Sequence, residues 1–426
     1  MVGSAKGARS NQKQNRLRPF LSTLGPGLIT GCADDDPSGI STYSVAGAAF
    51  GYASLWTALL SFPLMVAIQT MCARLGTVTG RGLADVIRMH YPRWILWGAC
   101  ALLVTANIIN IAADLAGMGE AAEMVTGVKA AVWKPIYPAV MIAFLFWSSY
   151  RRIARIFKWT ALVLLAYVAT AFFAHVDWRA ALISTFVPHL NWSRESLSVL
   201  LGILGTTISP YLFFWQAAQE VEEEKASGRD PTKFGAREED LRRIRVDVFT
   251  GMFASNFVMY FIILTTAATL HSHGAAHIDT AKQAAEALRP LAGQAAYLLF
   301  TLGLIGTGML GVPVLAGSCA YALAEAARWR GSLEKKPRNA RQFYGVLAVA
   351  MIGGLAFNIA GFNAVRMMFL AAVLNGALAP PLIALVVMVT SNPEVMGEHT
   401  NTPLQRILGW ITFALMSAAT VGMIVA

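Results

Sequence analysis

Residues 25–39 read Gly25-Pro26-Gly27-Leu28-Ile29-Thr30-Gly31-Cys32-Ala33-Asp34-Asp35-Asp36-Pro37-Ser38-Gly39, three aspartates and a proline inside a stretch otherwise apolar enough to enter a bilayer. A carboxylate at mid-membrane depth costs at least ~2.5 kcal/mol on insertion scales, and Pro37 removes a backbone donor. The segment from Phe20 to Tyr52 therefore cannot be one ordinary spanning helix. An acid at a broken helix inside the membrane is, by default, a functional site.

Outward from that stretch, 56% of the 426 residues are hydrophobic and only 14% are charged, far below the roughly 25% of a soluble domain. Apolar runs of spanning length recur near 54–75, 94–118, 130–149, 153–175, 196–218, 246–270, 295–326, 342–360, 363–389 and 406–426. With the interrupted first segment they predict an all-α polytopic membrane protein of eleven spans.

The net charge of +10 belongs to the orientation of those spans and not to a nucleic-acid partner. With the N-terminus placed inside, only Lys129, Lys134, Arg179, Arg194, Lys282, Arg289 and Arg366 of the 34 lysines and arginines fall in outer loops. That bias predicts a cytoplasmic N-terminus and an outside C-terminus in a plasma membrane, the bacterial inner membrane. No cleavable signal peptide reads from the polar, basic start of the chain. Cys32, Cys72, Cys100 and Cys319 lie in or beside apolar runs and read as small core residues, with Cys32 near enough to the acids to weigh as a soft ligand.

Residues 1–17 read as a disordered cytoplasmic tail and 18–426 as one membrane transport domain. The largest hydrophilic interruption, Glu220 to Asp247, reads as a solvated cytoplasmic linker between two halves, its acids outside the bilayer core. The sixth segment carries its own break at Ser209-Pro210, preceded by Thr206-Thr207. Interrupted helices at matching places in two five-helix halves point to an inverted-repeat transporter with its site at the midplane. The repeats are expected at about 18–176 and 195–390, with an extra helix at about 406–426. The competing reading takes Pro37 and Pro210 as tolerated kinks and the acids as a surface helix cap; the matched interruptions speak against it.

A break frees carbonyls that must find other partners in lipid. The carbonyls near Ala33, the carboxylate of Asp36, the carbonyls near Thr206 and the hydroxyl of Ser209 form a candidate all-oxygen shell, suited to hard cations such as magnesium or manganese. The metal is transported cargo in this reading, with no resident cofactor; the remaining partner is the lipid bilayer.

The run Gly25-Pro26-Gly27-Leu28-Ile29-Thr30, then Asp36-Pro37-Ser38-Gly39, Gly47, Phe50-Gly51-Tyr52 and Ala73-Arg74-Leu75-Gly76-Thr77-Val78-Thr79-Gly80-Arg81 resembles the first two helices of Nramp-family divalent metal transporters. The resemblance implies a LeuT-type fold with inverted five-helix repeats plus an eleventh helix. It also implies secondary-active import of divalent transition metals, usually with proton co-transport. Departures from the family pattern are informative. Gly39 stands where the family has an asparagine ligand and Ser209 where it has a methionine, so the soft donor that favours transition metals is gone. That pattern is similar to the Nramp-related magnesium transporters.

On the proton route, Asp114 matches the family's aspartate, but Gly117 stands at the glutamate position and Tyr211 and Gln216 at the histidines. Proton coupling is therefore expected to be weak or absent. Asn107, Asn110 and Asn375 are further polar residues in spans, Asn375 the better match to a gate position. Asp34 and Asp35 read as an acidic vestibule that concentrates cations. His271, His273 and His277 read as a solvated outer loop. The expected function is a secondary transporter of magnesium and/or manganese, not an enzyme, since no catalytic motif occurs in the spans. A proton-coupled manganese or iron importer is the alternative, and a sodium-coupled organic solute transporter a further one, disfavoured because the acids repel an anionic substrate.

Overall fold

Proline opens the second half of each interrupted segment, where its fixed φ suits the first helical position and its missing N–H is no loss. In the computed structural model, which describes residues 25–147, 162–189, 192–226, 228, 236–274, 277–358 and 363–425, the first segment is α1 (Pro26–Asp34) and α2 (Pro37–Phe50). There follow α3 (Trp56–Thr79), α4 (Leu83–His90), α5 (Arg93–Thr126), α6 (Ala130–Trp147), α7 (Leu165–Phe173) and α8 (Trp178–Phe186). The sixth segment is α9 (Arg194–Thr207) and α10 (Pro210–Ala226). The longer helices that follow are α11 (Glu238–Thr269), α12 (Ala296–Ala327), α13 (Arg341–Asn358), α14 (Ala364–Ser391) and α15 (Pro403–Val425). The expected tail at residues 1–17 lies outside the described residues.

Among the described residues no strand occurs, and eight stretches are long and apolar enough to cross a membrane. The described parts of the other three expected segments are the interrupted α1–α2, α7 and α13, with 20–24 and 153–161 outside the described residues. The window of α9–α10 is 94% buried and that of α15 only 22%, so the broken sixth segment runs through the centre of the bundle and the last helix along its edge.

Lipid tails are as apolar as leucine, so helices associate in a membrane largely by close packing, which small residues allow. Gly31 on α1 faces the backbone of Gly251 on α11, and Gly205 on α9 faces Ala372 and Gly376 on α14, with no room for a Cβ at either place. These contacts dock one half of each broken segment, α1 onto α11 and α9 onto α14.

The described residues between Glu220 and Asp247 depart from the expected solvated linker; 227 and 229–235 lie outside the described residues. Helix α10 continues to Ala226, so Glu220, Glu222 and Glu224 stand on a helix and are buried. Arg243 lies 3.7 Å from Glu224 and 4.0 Å from Glu220. Asp247 is also buried: its carboxylate accepts from the amides of Gly25 at 2.8 Å, Gly27 at 2.6 Å and Leu28 at 3.3 Å. Gly25 has no side chain to cap α1, and the acid from α11 supplies the missing acceptor at the positive end of that helix. Composition alone hid this, because a run of mixed charge reads as solvated until its partners are known.

Candidate metal site

Helix α1 ends at Asp34 and α2 begins at Pro37, which leaves Asp35 and Asp36 at the break. Asp36 is the N-cap of α2: Oδ1 accepts from the Gly39 amide at 2.8 Å and from Ser38 Oγ at 2.6 Å. Its Oδ2 lies 3.4 Å from Asn110 Nδ2 and 3.4 Å from the Tyr211 hydroxyl. A capping role is thus real, but the carboxylate is only 1% exposed, so a surface cap does not describe it. Gly311 of α12 packs against it, and a Cβ there would lie 3.1 Å from that of Asp36.

The second break closes against the first through Tyr211, whose O–H has one proton and donates it to the Ala33 carbonyl at 3.0 Å. Ser209 Oγ turns back on its own helix, 2.7 Å from the Thr206 carbonyl and 2.8 Å from that of Gly205. The carbonyls expected to be free at this break are therefore partly satisfied by Ser209 itself. Gly39 and Thr206 meet directly: a Cβ on Gly39 would lie 2.9 Å from Thr206 Oγ1 and 3.2 Å from the Asp34 carbonyl oxygen. Where the family pattern has an asparagine side chain, this chain has backbone and hydroxyl oxygens filling the space.

Asp114 joins the site from α5, with Oδ1 accepting from the Ser38 amide at 3.1 Å. Ser38 thus ties both acids to one residue, and its Oγ lies a further 3.2 Å from Asn110 Oδ1. Beside Gly117 the space is filled by Met368 and Leu304, an apolar lining where the family has an acid.

Asp34 and Asp35 depart from the expected vestibule. They are 0% and 4% exposed, and Ser255 of α11 lies 2.8 Å from Asp34 Oδ2 and 3.2 Å from Asp35 Oδ1. Packing of α1 on α11 encloses them. Gln216 also lies away from Asp36, accepting from Thr30 at 2.5 Å and donating to Glu220 at 2.8 Å. Asn375 is buried on α14 beside Gly376 and is not among the hydrogen-bond partners of Asp36. Asn107 bonds Leu315, Ser318 and Cys319 and serves helix packing. His271 meets the Ala48 carbonyl at 2.7 Å, fastening the loop after α11 to α2.

Sequence reasoning underrated Ser38 and Asn110 and missed the Asp34 carbonyl, Ser255 and Asp247. An acid set between apolar residues, Val246-Asp247-Val248-Phe249, was the one local signal for the last.

Four carboxylates, Asp34, Asp35, Asp36 and Asp114, are buried around one break, and among the described residues none pairs with a lysine or arginine. Asp34 Oδ1 and Asp114 Oδ2 are buried without a hydrogen-bond partner among the described residues. A hydrogen bond to a charged acceptor contributes ~1.5–3 kcal/mol, whereas an uncompensated buried ion costs several. The hydrogen bonds present cannot hold four charges, so the cluster requires bound protons, a cation, or both.

The fold recurs in solved structures. A manganese transporter from Eremococcus coleocola superposes with a TM-score of 0.75 at 18% identity, covering 99% of this chain and 88% of that one. MhsT in complex with L-phenylalanine superposes at 0.58 with 12% identity, over 94% of this chain and 98% of that one. The inward-facing conformation of Mhp1 gives 0.53 with 16% identity, over 94% and 90%. Fold and helix breaks together define a multi-pass integral membrane protein on the LeuT-type transporter fold.

The particular family follows from the sequence match. Residues 27–426 fit the profile of the natural resistance-associated macrophage protein-like proteins, and the chain belongs to this Nramp family. A protein from Yersinia pestis named divalent metal cation transporter MntH is 30% identical over 400 residues, 91% of each chain. Its namesake from Caldanaerobacter subterraneus is 25% identical over 403 residues, 92% of this chain and 90% of that one.

Proposed function

We propose that this chain moves divalent metal cations, manganese among them, by alternating access at the breaks between α1 and α2 and between α9 and α10. The observation that carries the reading is the set of four buried carboxylates without a basic partner, facing carbonyl and hydroxyl oxygens. Asp36 would be the charged ligand, with oxygens from Ala33, Asp34, Thr206 and Ser209 around it and Gly39 giving space to Thr206. The names of the relatives favour the transition-metal importer over the magnesium-first reading.

Two points of chemistry keep a magnesium reading in view as the second. Asp36 is surrounded by oxygen and amide groups, and Ser209 holds the place of the thioether donor. Magnesium retains waters and takes few protein carboxylates, which suits such a set. On coupling, the apolar lining at Gly117 removes one titratable group, while Asp114, joined to Asp36 through Ser38, retains another. We assign to Asp114 the proton that moves with the cation, the proton-coupled alternative replacing the weak coupling expected from the sequence. The N-terminus inside, the C-terminus outside and the repeat boundaries stay part of this proposal, supported by the distribution of lysine and arginine.

Proteoliposome flux of manganese, magnesium and calcium, with a pH dye inside the vesicles, tests the reading for the parent and for Asp36→Asn. The expected result is manganese uptake by the parent and none by the variant. Equal uptake by both would remove Asp36 from the site, and failure of the parent to carry any of the three would remove the function.

A further inference from the structure

A cavity of about 360 Å³ lies at a basic end of the bundle, within the ~300–1,000 Å³ range of small-ligand sites. It is bounded by the turn between α3 and α4, by the end of α10 and by the chain that leaves α12. Six cationic side chains line it: Arg81, Arg88, Lys225, Arg328, Arg330 and Lys335. They come from three separate stretches of sequence, 81–88, 225 and 328–335, which the fold brings together.

Three carboxylates line the same cavity, and each is already engaged. Asp85 pairs with Arg81 at 2.7 Å and with Arg88. Glu325 caps α4, accepting from the amides of Ala84 at 3.1 Å and Asp85 at 3.2 Å. Glu222 accepts from Ser332 at 2.7 Å. Among the described residues Lys225, Arg328, Arg330 and Lys335 form no ion pair.

The backbone adds an independent observation. Arg328 has φ +60, the only residue other than glycine with positive φ among the described residues. It ends α12 in the left-handed region, where glycine is the unstrained choice. The turn carries Arg328, Trp329 and Arg330 over the cavity. A glycine would end the helix at less cost and would remove a cation from the cavity wall. A positive lining also repels a divalent cation, so this is a poor vestibule for the cargo assigned above.

We propose that this cavity binds a phosphate-bearing anion, which ties the end of α10 to α4 and to the end of α12. The source of the phosphate is either a soluble polyphosphate or the headgroup of an anionic lipid, and the binding chemistry is shared: several N–H donors around one multiply charged group. Because α10 is the second half of the broken sixth segment, occupancy restrains a helix that reaches the candidate metal site. The inference is independent of which metal is carried.

The test uses the full chain in nanodiscs and metal-free buffer, read by thermal melting. In phosphatidylcholine discs, tripolyphosphate is titrated against the parent and against R328Q/R330Q/K335Q. In a second arm, phosphatidylglycerol discs replace phosphatidylcholine discs without added tripolyphosphate. The expected result is stabilisation of the parent in at least one arm, with apparent affinity or shift weakened about tenfold or more in the variant. Stabilisation by tripolyphosphate identifies a soluble anion, and stabilisation by phosphatidylglycerol alone a lipid headgroup. No shift in either arm, or equal shifts in parent and variant, overturns the proposal. If the triple variant does not fold, K225Q/K335Q, both on exposed side chains, gives the same reading.

Discussion

The Tyr211 hydroxyl donates to the Ala33 carbonyl at 3.0 Å and stands 3.4 Å from Asp36 Oδ2, so a residue from one broken segment occupies the oxygens of the other. A cation bound to Asp36 competes with that O–H for the same carbonyl. Tyr211→Phe leaves the carbonyl without its donor and is expected to cost ~1–3 kcal/mol of stability. Part of that loss should return when manganese binds. Thermal melting with and without manganese checks this: a metal-induced shift no larger than the parent's would mean that Ala33 is not a ligand.

Asp36→Asn separates capping from charge. Asparagine caps a helix about as well as aspartate, so α2 should form and the protein should stay folded. Cation binding by calorimetry should fall below detection. A variant that binds manganese within a few-fold of the parent would place the ligand elsewhere, with Asp34 the next candidate.

Ser209→Met restores the thioether that the family pattern has at this position. A soft donor favours cadmium and manganese over magnesium, and flux ratios should move in that direction by about tenfold, the size of one donor exchange of ~1.4 kcal/mol. The variant also removes the hydroxyl from the Gly205 and Thr206 carbonyls, so a small fall in melting temperature should accompany it. Unchanged ratios would show that the 209 side chain turns away from the cation.

Asp247→Ala removes a carboxylate that three amides of α1 share. Charge-assisted hydrogen bonds are roughly twice as strong as neutral ones, so the loss should free the start of α1 more than a surface change would. Hydrogen exchange of the amides at 25–30 should quicken, while exchange in α12 stays as it was. Unchanged protection at Gly27 and Leu28 would count against the clamp.

Asp114→Asn tests the proton assignment without touching Asp36. Manganese flux should persist at reduced rate while proton movement measured by the interior dye falls. Proton flux equal to the parent's would assign the coupling to another group, and its absence in the parent itself would return the reading to weak coupling.

Much of the architecture was legible along the chain because a membrane imposes strong one-dimensional rules. Runs of about 20 apolar residues become helices, since within one segment only a helix satisfies the backbone in lipid. The breaks at Asp36-Pro37 and Ser209-Pro210 were visible for the same reason, as was the acid at the first of them. What could not be read were contacts across the bundle. Ser38 looked like a motif residue and proved to link Asp36 with Asp114. The acids at Glu220, Glu222 and Asp247 looked solvated and proved buried. Asp34 and Asp35 looked like a vestibule and proved to be enclosed against Ser255.

By itself the sequence determined that this is a multi-span helical membrane protein with an acid at a broken helix, because hydropathy, proline and charge act locally and each span obeys them alone. Only the tertiary structure decided which oxygens surround that acid, which of its neighbours lack a counter-charge, and where six distant cations meet. The first two depend on close helix approach at Gly31, Gly205 and Gly311 and the third on that of Gly82 to Glu325, and a contact between helices has no signature in either stretch of sequence until both are in place.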